Sequence, residues 1–281
     1  MLDNLQLRKR GYRGMLWLWI IIYGLIVVFP LVWMFITSIK TTDAVYRVPL
    51  QYIVKNPTIE HFKAVLVNWD FPAYVRNSII IATATTAFCT VAGILGGYGF
   101  NRFKFPMKGV MIALTIGVRF VPPVALITPI YLIFSNLGLI DSLIALILVN
   151  IYQNLPFYIF IMMNFFEDIP RELDEAALVD GATRFQTFRR VILPLTIPGV
   201  AASSIICFLL SWNEFLYGLV LTQTSAAKPL SVGIGDALAD MYISWPQLTA
   251  GGVIATIPAI IFVTMFQRYI VSGLVQGALK G

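Results

Sequence analysis

The chain has 281 residues, 58% hydrophobic and only 12% charged, with a mean hydropathy of +0.81. That balance excludes an ordinary soluble domain and indicates a polytopic, all-α membrane protein. The formal net charge of +6 is better accounted for by membrane orientation than by nucleic-acid binding.

Residues 1–14 carry Arg8, Lys9, Arg10 and Arg13 ahead of an apolar run from about Met15 to Thr37. The run is long enough to cross a bilayer, and no clear small-x-small cleavage site follows it. It is expected to be an uncleaved first span behind a cytoplasmic arm, with residues 15–281 forming one transmembrane domain. Residues 38–76 form a polar loop expected outside the membrane. Its His61 is the sole histidine; with no ligand partner it reads as a solvated loop residue rather than a metal site.

The second span, about 77–100, is rich in Ala, Thr and Gly, including Gly93, Gly96, Gly97 and Gly99. Small residues permit close helix packing in lipid, so this helix is expected inside the bundle. A short basic turn with Arg102, Lys104 and Lys108 follows. The third span, about 109–134, contains Arg119 and Pro122-Pro123. The proline pair predicts a break, whose freed carbonyls must face protein or a wet cavity. The fourth, about 143–164, holds Asn150, Gln153, Asn154 and Pro156. These polar groups are either interhelical hydrogen bonds or ligand contacts. The fifth, about 199–222, contains Asn213 and Glu214; an outer loop leads to the sixth, about 248–266, and a short tail.

Of the 20 basic residues, thirteen fall in the segments expected inside and six in those expected outside, five of the six in the loop 38–76. The bias favours six spans with both termini in the cytoplasm. Arg119 lies within a span, about ten residues past the basic turn and, at ~1.5 Å per residue, near mid-membrane. Charges there usually face a bundle interior or water. Arg119 and Glu214, with Asn213, Asn150 and Gln153, are therefore candidates for a translocation path. The alternative is structural pairing or an interfacial position.

Between the fourth and fifth spans lies a polar island, residues 165–198, placed in the cytoplasm by the charge bias. Its core, Glu172 to Pro198, is too short to bury a core of its own, so it must pack on the membrane part, a partner, or both. It reads as helix, break, helix. Asp168 is the expected N-cap, with Pro170 in the first turn. Leu173, Ala176 and Ala177 make a small flat face. Gly181 supplies a C-cap and Thr183 caps the second helix. There Phe185, Phe188 and Ile192 form a stripe, Arg184, Arg189 and Arg190 stay wet, and Pro194 ends the helix. On the residues alone, a docking element and a plain linking hairpin both fit.

Glu175-Ala176-Ala177, three residues, Gly181, nine residues, then Val191-Ile192-Leu193-Pro194 resembles the EAA loop of binding-protein-dependent ABC importers, with Val191 where the family has isoleucine. Arg119-Phe120-Val121-Pro122-Pro123, Gly138-Leu139-Ile140-Asp141-Ser142, Trp212-Asn213-Glu214-Phe215 and the tail 273–281 are similar to carbohydrate permeases of the maltose-transporter type. Ser272 stands where many relatives have arginine.

The resemblance implies the type I importer permease fold and one of two permease subunits, usually unlike each other. These would pair with two ATPase subunits and an extracytoplasmic sugar-binding protein in a bacterial or archaeal cytoplasmic membrane. Glu175, Ala176, Ala177, Asp180, Gly181, Leu193 and Pro194 would couple to the ATPases. ATP and Mg would sit on those partners, with no cofactor on this chain. Consistent with that division, the sequence has no GxxxxGK[ST] phosphate loop and no HExxH. Its two cysteines, Cys89 and Cys207, lie in apolar runs and read as small buried hydrophobes.

Overall fold

The computed structural model describes residues 2–239 and 244–278, with side chains described for 13–238 and 244–265. Among the described residues all regular structure is helical. Contacts divide the chain into two units, Met1–Trp69 with Ala237–Thr256, and Asp70–Asp236 with Ile257–Gly281.

The first unit contains α1 (Leu2–Ser38), α2 (Thr42–Tyr46) and α3 (Glu60–Asn68). Within Arg13–Ser38 the 18-residue apolar window of α1 contains no buried residue, and only Thr37 and Ser38 at its end are buried, which suits a helix facing lipid or another subunit. His61 is not solvated as expected. It is 6% exposed, and its Nε2 donates to the Lys40 carbonyl at 2.9 Å. The cause is α3, which lies over the turn after α1 with Val65 fully buried.

The second unit contains α4 (Phe71–Arg102), α5 (Lys108–Gly117), α6 (Ile127–Asn136), α7 (Leu143–Glu167), α8 (Glu172–Val179), α9 (Arg184–Thr187), α10 (Leu193–Leu195), α11 (Ile197–Trp212), α12 (Leu216–Leu221) and α13 (Leu230–Ala239); α14 (Trp245–Ala278) completes the chain. Among the described residues of the chain, four helices are long and apolar enough to cross a membrane, and up to six spans result if each bent pair counts as one. The third stretch is not one rod: the segments Lys108–Phe120 and Pro123–Asn136 meet at 93°, and the break falls at the proline pair. The fourth runs unbroken through Pro156, started by the Ser142 hydroxyl accepting from Ala145 N–H at 3.2 Å.

The centre of this unit is α4 packed on α7 and α11. A Cβ at Gly93 would lie 2.3 Å from Tyr158 Cδ1, and one at Gly97 only 2.8 Å from Met162 Cβ. Glycine at these two positions is what lets α4 and α7 approach. The released space holds the Tyr158 ring, whose hydroxyl bonds Thr90 Oγ1 at 3.1 Å, Ser204 Oγ at 2.8 Å and the Val200 carbonyl at 3.2 Å. In lipid such a polar group must find partners inside the protein, and here one hydroxyl ties three helices. Cys89 and Cys207 are buried free thiols in the same core.

Candidate functional site

The polar island folds as helix, break, helix, with its start displaced from the expectation. Asp168 closes α7 rather than opening the next helix, which begins at Glu172 with Arg171 before it and no side-chain cap. The preceding span simply runs longer, and Pro170 cannot continue it. Acidic Glu172, Asp174 and Glu175 fill the first turn of α8, at the positive end of its dipole.

Gly181 ends α8 at φ +85°. The Gly181 N–H bonds the Leu178 carbonyl at 3.1 Å and the Ala182 N–H bonds the Ala177 carbonyl at 3.0 Å. This is the paired hydrogen bonding of a Schellman stop, and the left-handed residue within it favours glycine. Asp180 is the exposed residue just before it. Thr183 and Gln186 then form a reciprocal capping box that starts α9. The return helix makes a π turn over Phe188–Ile192 and continues as Leu193–Leu195. Pro194 therefore sits inside the last short turn, after which the chain bends by 72° into α11. Phe188 and Ile192 are buried, but Phe185 is 66% exposed and leaves the expected stripe. A π turn has more residues per turn than an α-helix, so Phe185, in α9 ahead of the turn, loses the common face with Phe188 and Ile192 within it. Arg184, Arg189 and Arg190 are exposed, as expected.

Pairings that the sequence did not announce fix the hairpin to the bundle. Asp174 pairs with Arg102 of α4, Nε to Oδ2 at 3.0 Å, and receives the Tyr98 hydroxyl at 3.4 Å. Arg102 also donates to the Ile169 carbonyl at 2.9 Å, and Arg171 to the Asn101 carbonyl at 3.2 Å. The Phe188 ring packs 4.7 Å from that of Tyr98, inside a cluster that includes Met162, Phe166 and Ile192. One side of the hairpin is thus consumed. On the other, Glu175 and Ala176 are exposed, Ala177 is half-buried, and Val179 is 87% exposed. Leu193 is half-buried against the core and Pro194 is exposed.

The intramembrane candidates divide. Arg119, Gln153 and Glu214 line one cavity of about 250 Å³ together with Tyr152, Asn154 and Tyr217. Arg119 donates through Nη1 to the Gln153 carbonyl at 2.7 Å, and its guanidinium stands 5.3 Å from the centre of the Phe157 ring. The Glu214 carboxylate accepts the N–H groups of Tyr217 at 2.8 Å and Gly218 at 3.0 Å, capping α12, so much of its charge is already answered by the helix N-terminus. The cavity is left with a cation whose other donors are free for a ligand, beside two phenols and two amides.

Asn150 and Asn213 are not among the lining residues. Asn150 is buried and donates back to the Leu146 carbonyl at 2.9 Å, while Asn213 is exposed and donates to the Leu209 carbonyl at 2.8 Å. The interhelical bond comes from Asn154, to Ser211 Oγ at 3.2 Å. The side chain of Ser272 and residues 279–281 of the tail lie outside the described residues.

A family profile described as binding-protein-dependent transport system inner membrane component matches residues 89–276. The chain is 36% identical over 276 residues to the trehalose transport system permease protein SugB of Mycobacterium tuberculosis (strain CDC 1551 / Oshkosh), covering 98% of this chain and 99% of that one. It is 33% identical over 270 residues to the trehalose/maltose transport system permease protein MalG of Thermococcus litoralis, covering 93% and 94%. Among solved structures, a chain of a bacterial ABC transporter involved in importing the acidic polysaccharide alginate superposes with a TM-score of 0.76 at 23% identity, covering 92% of this chain and 96% of that one.

Proposed function

The chain belongs to the family of binding-protein-dependent transport system inner membrane components, and from that premise we propose that it is a permease subunit of an ATP-driven carbohydrate importer. It sits in a bacterial or archaeal cytoplasmic membrane with both termini inside. It pairs with a second permease, two ATPase subunits that hold ATP and Mg, and an extracytoplasmic binding protein that delivers the sugar. The chain itself catalyses no reaction and carries no cofactor.

The observation that carries this reading is the two-sided hairpin. Its inner side is tied to the bundle through Asp174, Phe188 and Ile192, while Glu175, Ala176, Val179 and Phe185 remain uncovered on a polar segment. A short element fixed on one side and uncovered on the other is suited to transmit displacement from a partner into the spans. Glu175 supplies a polar contact, Ala176 and Ala177 allow close approach, and Asp180 with Gly181 sets the turn. Leu193 and Pro194 carry the motion towards α11. Arg119, Gln153 and Glu214 line the path on this subunit; the trehalose and maltose permeases among its relatives favour a di- or oligosaccharide cargo.

The test is uptake of labelled trehalose or maltose by proteoliposomes holding this chain with its genomically adjacent permease, ATPase and binding protein. Uptake dependent on all four components and on ATP is expected. Transport by this chain alone without ATP would sink the reading.

A further inference from the structure

In the first unit, two cavities at the end of α1 share one lysine. The larger, about 450 Å³, is lined by Phe29, Trp33, Met34, Leu50 and Trp245. The smaller, about 200 Å³, is lined by Asp43, Arg47 and Lys55 among others. Lys40 borders both. It is 3% exposed, donates through Nζ to the Gln51 carbonyl at 2.5 Å, and lies 4.8 Å from the centre of the Trp33 ring. The ammonium is thus held at the boundary between an apolar hollow and a polar, cationic one.

Depth and surroundings are those of a membrane interface. The apolar stretch of α1 ends at Ser38, so Lys40 stands just beyond the hydrocarbon. Trp33, with Tyr52 at 6.0 Å, and Trp245, whose backbone N–H donates to the Tyr46 hydroxyl at 3.3 Å, are the aromatic types that collect at that level. The 18-residue apolar window within Arg13–Ser38 contains no buried residue, which leaves much of its surface open to acyl chains. Charge is unusual as well. Lys40, Arg47, Lys55, Lys63 and Arg76 crowd the loop 38–76, a segment where orientation asks for few cations.

We propose that the two cavities form one binding site for an anionic phospholipid. An acyl chain occupies the hollow between Trp33 and Trp245, and the phosphate sits against Lys40, Arg47 and Lys55. Asp43 on the same rim accepts hydroxyl donors, which favours a polyol headgroup such as that of phosphatidylglycerol. A soluble anion or an acidic protein would satisfy the cations and leave the larger cavity unfilled. Only an amphiphile fits both.

Native mass spectrometry of the full-length chain, purified with its associated subunits, tests this by titration with phosphatidylglycerol, phosphatidylcholine and glycerol phosphate. Phosphatidylglycerol should be retained in preference to phosphatidylcholine, and glycerol phosphate should not compete. Arg47 and Lys55 are exposed, so Arg47→Gln and Lys55→Gln leave the fold intact. Each should lower phosphatidylglycerol affinity about fivefold, the worth of one interfacial charge, with phosphatidylcholine unaffected. Equal retention of the two lipids, competition by glycerol phosphate, or unchanged affinity in the double variant would each overturn the proposal. So would cross-linking of Lys55 to an acidic protein in place of lipid.

Discussion

Arg102 and Asp174 meet at 3.0 Å with side chains only 6% and 12% exposed. The first ends the helix that packs deepest in the bundle, and the second lies in the first turn of the short helix that faces outward from it. Movement of the hairpin must therefore move α4, or break a shielded ion pair.

Removing one partner leaves the other charge buried and unpaired, a loss of about 3–5 kcal/mol. Asp174→Ala should detach the hairpin. In limited proteolysis, cleavage after Arg184, Arg189 or Arg190 should become much faster, while the spans stay protected. The paired replacement Arg102→Met with Asp174→Leu should restore most of the protection, because it removes both charges together. Equal cleavage of Asp174→Ala and the parent chain would show that the pair does not anchor the loop.

Two substitutions on the hairpin should separate its folding from its docking. Glu175 is exposed, so Glu175→Lys should change stability by no more than about 0.5 kcal/mol yet reduce the amount of ATPase that co-purifies. Gly181 has open space around its Cα but a φ of +85°. Gly181→Asp should therefore cost about 1–2 kcal/mol of backbone strain and weaken both hairpin protection and ATPase association. Normal ATPase recovery with Glu175→Lys would argue that the exposed side is not the docking face.

The glycines of α4 give a third test. At Gly97 an added Cβ meets Met162 Cβ at 2.8 Å and the Met163 backbone nitrogen at 3.1 Å, and backbone cannot swing aside. Gly97→Ala should destabilise by about 1–3 kcal/mol through overpacking. Gly99 has nothing within 4 Å, so Gly99→Ala should be neutral or stabilising by up to about 1 kcal/mol. Thermal melts of the two variants in the same detergent should move in opposite directions or, at least, only the first should fall.

What could be read from the sequence was what is local. Gly181 and Thr183 announce a stop and a start through backbone chemistry confined to a few residues, and both act as expected. The proline pair at 122–123 announces its break for the same reason. Asp168 misled because a capping residue looks the same whether it opens a helix or trails one. His61 misled, and Asp174 went unread, because their partners, Lys40 and Arg102, lie far away in sequence. Phe185 escaped because a π turn cancels the periodicity on which the stripe was drawn. The cavity was partly visible, since a costly charge within a span implies a wet or polar neighbour. Which neighbours lined it depended on helix rotation, and only three of the five candidates face it.

Asp141 gives a pH prediction. It lies in the turn before α7, with φ +59°. Its carboxylate accepts the Gln223 N–H at 2.9 Å, the Thr224 N–H at 3.0 Å and the Thr224 hydroxyl at 2.5 Å. Partial burial opposes its ionisation, but the hydrogen bonds from Thr224 and Gln223 prevail and hold its pKa below the usual carboxylate value. A depressed folded pKa means that the stabilisation is fully present above the unfolded pKa of about 3.9 and disappears as pH falls through the folded value. Asparagine tolerates the same backbone. Asp141→Asn should therefore be less stable than the parent at neutral pH, and the gap should close below about pH 4. Melting curves of both forms from pH 7 down to 3 check this; a gap that stayed constant would remove the carboxylate from the account.

Arg119 and Glu214 line the same cavity but should fail differently. Glu214 holds two backbone N–H groups at the start of α12, so Glu214→Ala uncaps that helix at a cost of about 0.5–2 kcal/mol and should lower the melting temperature. Arg119 spends one bond on the Gln153 carbonyl and has further donors facing the cavity. Arg119→Gln should leave assembly and melting nearly unchanged. It should reduce sugar uptake about tenfold, the loss expected for one charge-assisted hydrogen bond to a passing hydroxyl. Uptake assays on complexes matched for ATPase content separate the two effects. Undiminished uptake with Arg119→Gln would mean that the cargo passes without touching this cavity and that the neighbouring permease carries the contacts.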